Sequence, residues 1–98
     1  MQHIFSLSIN HKPGIMIRAA LIFERRGFEV DFMEISGGDS NGLSKMIIRA
    51  NGDSAKVEQI EKQLEKLIDV VSAKYISSEL AVDKALELES KPALLKAV

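Results

Sequence analysis

The chain of 98 residues contains no cysteine and no tryptophan, and only two prolines. Without cysteine there is no disulfide, no thiolate nucleophile and no cysteine-ligated metal. An excess of one charge is lacking as well, since 13 Lys and Arg stand against 14 Asp and Glu for a net charge of -1. That balance supplies no global attraction to nucleic acid or to an anionic membrane. No apolar run approaches the ~20 residues that span a bilayer, and the N-terminus has no basic segment leading into an apolar signal run. The expectation is a cytoplasmic protein. What is there is the composition of a compact fold, 46% hydrophobic and 28% charged, with enough chain for one domain and a modest core.

The pattern turns at Ile9, Asn10, His11, Lys12, Pro13, Gly14 and Ile15, where an alternating apolar segment stops and a helical one begins. Pro13 fixes φ, and Gly14 permits a left-handed or closely approached backbone. A helix starting after Gly14 aims its unpaired N–H groups into the turn, which favours a carboxylate or another anion there. The turn reads either as the wall of a ligand pocket or as an ordinary strand-to-helix connection.

Residues 4–9 alternate, with Phe5, Leu7 and Ile9 on one face and Ser6 and Ser8 on the other, which predicts a strand with one buried side. Over residues 15–26 the period is helical, with Ile15, Met16, Ala19, Ile22 and Phe23 as the stripe. Ile17, Ala20 and Leu21 widen it, so the helix is either broadly core-facing or also packed on a partner subunit. Arg25 and Arg26 fall at the helix's negative end, and Gly27 suits a left-handed cap.

A second strand follows over residues 28–35, with Phe28, Val30 and Phe32 on one face and Met33 and Ile35 on the opposite parity. This implies a bulge near residues 32 and 33 or a strand apolar on both sides, which a second copy would protect at an edge. After a glycine-rich connection, residues 43–50 point Met46, Ile48 and Ala50 inward and Lys45 and Arg49 outward. Asn51 and Gly52 turn the chain, and Asp53 or Ser54 caps a helix with Val57, Ile60, Leu64 and Leu67 on its dry side. Glu58 and Lys62 pair on its wet side. Residues 70–76 form a last strand, with Val71, Ala73 and Tyr75 on one face.

The order is βαββαβ, an α+β, ferredoxin-like fold with a four-stranded antiparallel sheet carrying both helices on one face. Residues 1–77 make this domain. Residues 78–98 read as a C-terminal helical extension or the start of a linker, with Ser78 capping a helix over 80–89, Ala81, Ala85 and Leu88 on its stripe, and Pro92 interrupting it.

Catalytic patterns are missing. His3 and His11 sit at opposite ends of the first strand, too far apart to share a metal, and Glu29, Asp31 and Glu34 alternate between faces. There is no zinc-binding His-Glu-x-x-His, serine elbow or dinucleotide fingerprint. An RNA-recognition domain shares this order of elements but needs exposed aromatics on its central strands, whereas Phe5 falls on the core side.

The run Asn10-His11-Lys12-Pro13-Gly14-Ile15-Met16, followed by Leu21-Ile22-Phe23-Glu24-Arg25-Arg26-Gly27-Phe28-Glu29-Val30-Asp31, resembles the ACT domain of the regulatory small subunit of acetohydroxyacid synthase, also called acetolactate synthase. Residues 43–48 and 53–70 are similar to the same family, so the resemblance covers about residues 3–76. It implies a non-catalytic regulator of branched-chain amino-acid biosynthesis that pairs as a homodimer through the first helix and second strand. It also implies a catalytic large subunit as partner, which holds thiamine diphosphate, magnesium and flavin, with no cofactor in this chain. An effector such as valine would bind at the dimer interface, and the matching positions are Asn10, His11, Pro13, Gly14, Ile15, Glu29 and Val30. The chain departs from the family's usual acidic residue at Asn10 and its usual asparagines at His11 and Glu29. The alternatives are a free-standing ACT module binding a different amino acid and, more remotely, a small hydrolase on the same fold. The family's usual second domain would follow residue 98, so the chain is either a short form or a fragment.

Overall fold

A computed structural model describes residues 2–38 and 42–78, without the side chains of Ser77 and Ser78. The strands are β1 (Gln2–Ile9), β2 (Glu29–Ser36), β3 (Ser44–Asn51) and β4 (Val70–Ser78); the helices are α1 (Ile15–Glu24) and α2 (Val57–Glu65), the latter entered through one 3-10 turn at Ser54–Lys56. The sheet runs in the order β2-β3-β1-β4 with every pairing antiparallel. This is the βαββαβ fold expected. The helix expected over 80–89 lies outside the described residues.

Alternation in β1 places Phe5, Leu7 and Ile9 under the helices, where they meet Ile15, Ala19, Ile22 and Phe23 of α1 and Ile60 and Leu64 of α2. Phe23 packs edge-on to Phe5 with ring centroids 5.0 Å apart. Each fully buried side chain of this size contributes roughly 1.5–3 kcal/mol. The core is therefore concentrated on β1, one of the two central strands.

The end of α1 follows from Gly27, at φ 77. The Phe28 N–H donates to the Phe23 carbonyl at 2.9 Å and the Gly27 N–H to the Glu24 carbonyl at 3.0 Å, while the Phe23 and Phe28 rings meet at 6.1 Å. Both hydrogen bonds and the apolar contact are those of a Schellman cap. At the start of α2, the Asp53 carboxylate accepts from the Ala55 N–H at 2.9 Å.

Three expectations are corrected. Met16 is not part of the buried stripe but exposed, because the helix turns Ile15 and Ala19 inward and leaves Met16 beside Ile17. In β2 the register shifts between Val30 and Phe32, so Asp31 is the extra residue of a bulge one position earlier than expected. Val30, Met33 and Ile35 therefore pack on the helix side, while Phe32 turns to the other face. Asp31 and Phe32 both meet Arg49 there, by a 2.9 Å ion pair and by a guanidinium 5.6 Å from the ring centroid. A second shift, between Ser8 and Ile9 against β4, buries Val70 and leaves Val71 56% exposed, so Val71 does not share the face of Ala73 and Tyr75.

Two glycines test separate constraints. A Cβ on Gly27 meets nothing within 4 Å but holds a positive φ, whereas a Cβ on Gly52 comes 2.4 Å from the buried Phe28 ring. Gly27→Ala should cost about 1–2 kcal/mol from backbone strain alone. Gly52→Ala should cost roughly 1–3 kcal/mol by overpacking, and Phe28→Leu in the same chain should relieve part of it. Urea unfolding of the two single variants and the double variant checks both values.

Candidate functional site

The loop between β1 and α1 is held by a small polar network. The Asn10 N–H donates to the Asp69 carbonyl at 2.8 Å, and the Ile15 N–H to the Lys12 carbonyl at 3.2 Å. Arg18 reaches back from α1, donating from Nη2 to the Asp69 carboxylate at 2.7 Å and from Nη1 to the Pro13 carbonyl at 3.3 Å. It clamps the loop to the turn before β4. Gly14 is left-handed at φ 84 and occupies the N-cap position, with no side chain capping the helix. A Cβ there would also stand 3.1 Å from Arg18 Nη1. The glycine thus serves both the turn and the clamp.

Above the turn lies an open depression of about 270 Å³, lined by His11, Lys12, Pro13, Gly14, Ile15, Met16 and Ile17. Two basic or neutral polar side chains, an apolar floor and the first turn of a helix suit a small molecule with a negative group. His11, Pro13, Gly14 and Ile15 line it, and Asn10 adjoins it from the end of β1. Glu29 and Val30 do not. They begin β2, where Glu29 pairs with Asn51, itself the partner of Gln2, whereas Ile9 at the loop end pairs with Ser44. The length of β1, about 25 Å at ~3.3 Å per residue, separates the two groups within one chain.

Sequence reasoning missed Arg18 and Asp69 as determinants of the loop. A signal for Arg18 existed: it is the only polar residue from Ile15 to Phe23. Its partner is 51 positions away, and nothing local announces Asp69.

At the other end of the sheet His3 is buried on the parity of Phe5. Its Nδ1 lies 3.0 Å from the Tyr75 hydroxyl and its Nε2 3.3 Å from Ser54 Oγ, and its ring tilts against Phe28 and Tyr75. The contacts tie β1 to β4 and to the start of α2. Glu61 adds a link by accepting the Tyr75 N–H at 2.6 Å. Burial holds the imidazole below its ordinary 6.5, a Gly52 backbone hydrogen bond opposes this, and the N-terminal charge adds to it. Among the described residues no cluster of three acidic, histidine or cysteine side chains could hold a metal. No described helix is long and apolar enough to cross a membrane.

The outward side of α1 carries Met16, Ile17 at 67% exposure and Leu21 at 43%. Ile17 and Leu21 are one helical turn apart and so form a continuous apolar strip. α1 packs on the β2 side of the sheet and α2 on the β4 side. The strip thus lies on the solvent side of a helix that covers the half of the sheet ending in the edge strand β2.

Residues 5–72 match the family of AHAS small subunit-like ACT domains. The probable acetolactate synthase small subunit of Methanothermobacter thermautotrophicus is 39% identical over 84 residues, covering 86% of this chain and 50% of that protein. Its namesake from Archaeoglobus fulgidus is 36% identical over 86 residues, covering 88% and 54%. The chain thus spans about half the length of the curated relatives it matches. Among solved structures, the acetolactate synthase small subunit from Thermotoga maritima superimposes with a TM-score of 0.66 at 38% identity, over 79% of this chain and 48% of that one. The ACT domain of a Chlorobium tepidum GTP pyrophosphokinase, with a TM-score of 0.59 at 9% identity, shares the fold alone.

Two outcomes are expected from the polar contacts. Because His3 is held neutral in the fold, the unfolded chain takes up its proton first, so its contribution is complete above pH 6.5 and is lost as pH falls below that value. Stability measured from pH 7.5 to ~5 should fall more steeply for the wild type than for His3→Phe. Arg18→Leu should accelerate hydrogen exchange at Asn10 while lowering global stability by no more than about 1 kcal/mol, since the pair is partly solvated.

Proposed function

The chain belongs to the AHAS small subunit-like ACT family, and from that membership we propose that it is a non-catalytic regulatory subunit of acetohydroxyacid synthase. In this reading it serves branched-chain amino-acid biosynthesis by binding the catalytic large subunit and raising its activity. Thiamine diphosphate, magnesium and flavin belong to that partner. The observation that supports the reading is the exposed strip of Met16, Ile17 and Leu21 on a helix packed over the half of the sheet that ends in the edge strand β2.

Such a strip and edge suit an isologous homodimer. A two-fold axis across α1 and β2 sets α1 antiparallel to its counterpart and extends the sheet through the two β2 edges. The start of one α1 then meets the end of the other, so Glu29 and Val30 of one copy approach Asn10 to Ile15 of its mate. The pocket divided within one chain is completed between two. A small amino acid fits this arrangement, with its carboxylate at the α1 N-terminus and its ammonium group toward Glu29. Valine is the effector proposed. His11 and Glu29, in place of the usual asparagines, favour a second reading, an ACT module that binds a different amino acid and regulates another protein.

Addition of the folded chain to the catalytic large subunit should raise its activity; an unchanged rate at saturating concentration would reject the regulatory reading. Calorimetric titration with valine should give saturable heat, and Gly14→Val should abolish it by forcing a side chain into φ 84. Saturation by another amino acid with none by valine would select the second reading. Ile17→Asp with Leu21→Asp should convert the dimer to a folded monomer in sedimentation.

A further inference from the structure

The large apolar side chains exposed among the described residues fall into two groups. Met16, Ile17 and Leu21 belong to α1, while Ile68, at 90% exposure, and Val71 flank Asp69 where α2 gives way to β4. The second group has no part in the dimer described above, which uses the opposite edge of the sheet. Its placement is fixed from below. The Val70 N–H donates to the Leu67 carbonyl at 3.0 Å, closing a β-turn with Ile68 and Asp69 at its corners. Val70 is buried in the core, Leu67 packs against it, and Arg18 holds the Asp69 carboxylate. Ile68 is thus presented on a rigid mount. Turn corners favour Gly, Pro, Asn, Asp and Ser, and neither the turn nor the core requires isoleucine there.

We infer, on the regulatory reading proposed above, that Ile68 and Val71 are the surface by which the chain docks on the catalytic large subunit, and that the complementary site there is an apolar pocket with a carboxylate rim. A regulator must couple its effector loop to its catalytic partner. The ties of the loop converge on this turn: Asp69 accepts the Asn10 N–H through its carbonyl and Arg18 through its carboxylate, and Arg18 also holds the Pro13 carbonyl. Charge sets the rim. With the Asp69 carboxylate paired to Arg18, the exposed Lys66, two residues before Ile68, and Lys12, two residues after Asn10, outnumber the exposed Glu65. A second copy is disfavoured at this edge, since the register shift between Ser8 and Ile9 sets Val71 out of the ladder and a bulged edge resists strand addition. β4 ends at the other end of the sheet, where Ser78 pairs with His3 while Val70 pairs with Ile9. The residues that follow it therefore start about 20 Å from the turn, at ~3.3 Å per residue.

The test adds the 98-residue chain to the catalytic large subunit. For the double variant Ile68→Asp, Val71→Asp, half-maximal activation should need about tenfold more chain or beyond, because docking would bury unpaired carboxylates, while sedimentation still reports a dimer. Activation at the wild-type concentration would overturn the inference and leave the regulatory reading standing; failure of the wild-type chain to activate would reject both. Lys66→Glu should raise the same concentration severalfold at low salt and less at high salt, and equal values at both would refute the carboxylate rim. Fluorescence gives an independent readout, because Ile68→Cys carries the only thiol in its chain. An environment-sensitive dye attached there should shift to the blue when the large subunit is added and not when the chain alone is concentrated. A dye already shielded in the isolated chain, or shifted by concentration alone, would assign the turn to another segment of the chain or to a second copy and contradict the inference.

Discussion

The contact on which the arrangement depends is the edge-on packing of Phe23 against Phe5. It joins the last full turn of α1 to the central strand β1, and the carbonyl of the same Phe23 accepts one of the two hydrogen bonds that cap the helix. Direction follows from this anchor. With its C-terminal end fixed over Phe5 and its start fixed by Gly14, α1 has one rotation that buries Ile15, Ala19, Ile22 and Phe23. That rotation turns Ile17 and Leu21 to water. The exposed strip is thus a consequence of satisfying the core, and its apolar character is an additional property that core packing does not require.

An exposed apolar strip and an edge strand are two liabilities with one remedy. Hydrophobic surface favours association, and an unpaired ladder of N–H and C=O groups favours another strand. The isologous dimer proposed above would satisfy both, and it would also bring together the two halves of the residue set that one chain holds about a β1 length apart. The Arg18–Asp69 clamp matters in this setting because it holds the loop in place before any partner or ligand arrives. A loop ordered in advance loses less entropy on binding.

Much of the architecture was legible. The period-two pattern of residues 4–9, the helical stripe after Gly14 and the cap at Gly27 each state their structure locally, and the order of elements then restricts the topology. The bulges were only half legible. Conflict of parity between Val30 and Met33 announces an extra residue somewhere in β2, but its position depends on Arg49 across the sheet, which receives both Asp31 and Phe32. Val71 carried no such conflict, because alternation with Ala73 and Tyr75 was intact in the sequence. Met16 shows the limit of periodicity: a stripe wider than the groove it fills does not say which margin stays wet. The family resemblance pointed to the loop residues as a candidate site, whereas the bonds that hold the loop join positions far apart in the chain and follow only from the folded geometry.

The central claim is that one copy's loop faces the start of β2 in another. The chain has no native thiol, so the double variant His11→Cys, Glu29→Cys reports this directly when treated with a short thiol-to-thiol cross-linker. The account predicts covalent dimers in high yield at protein concentrations where the dimer forms, and none for either single variant. Double-variant chains that remain monomeric under those conditions would contradict it.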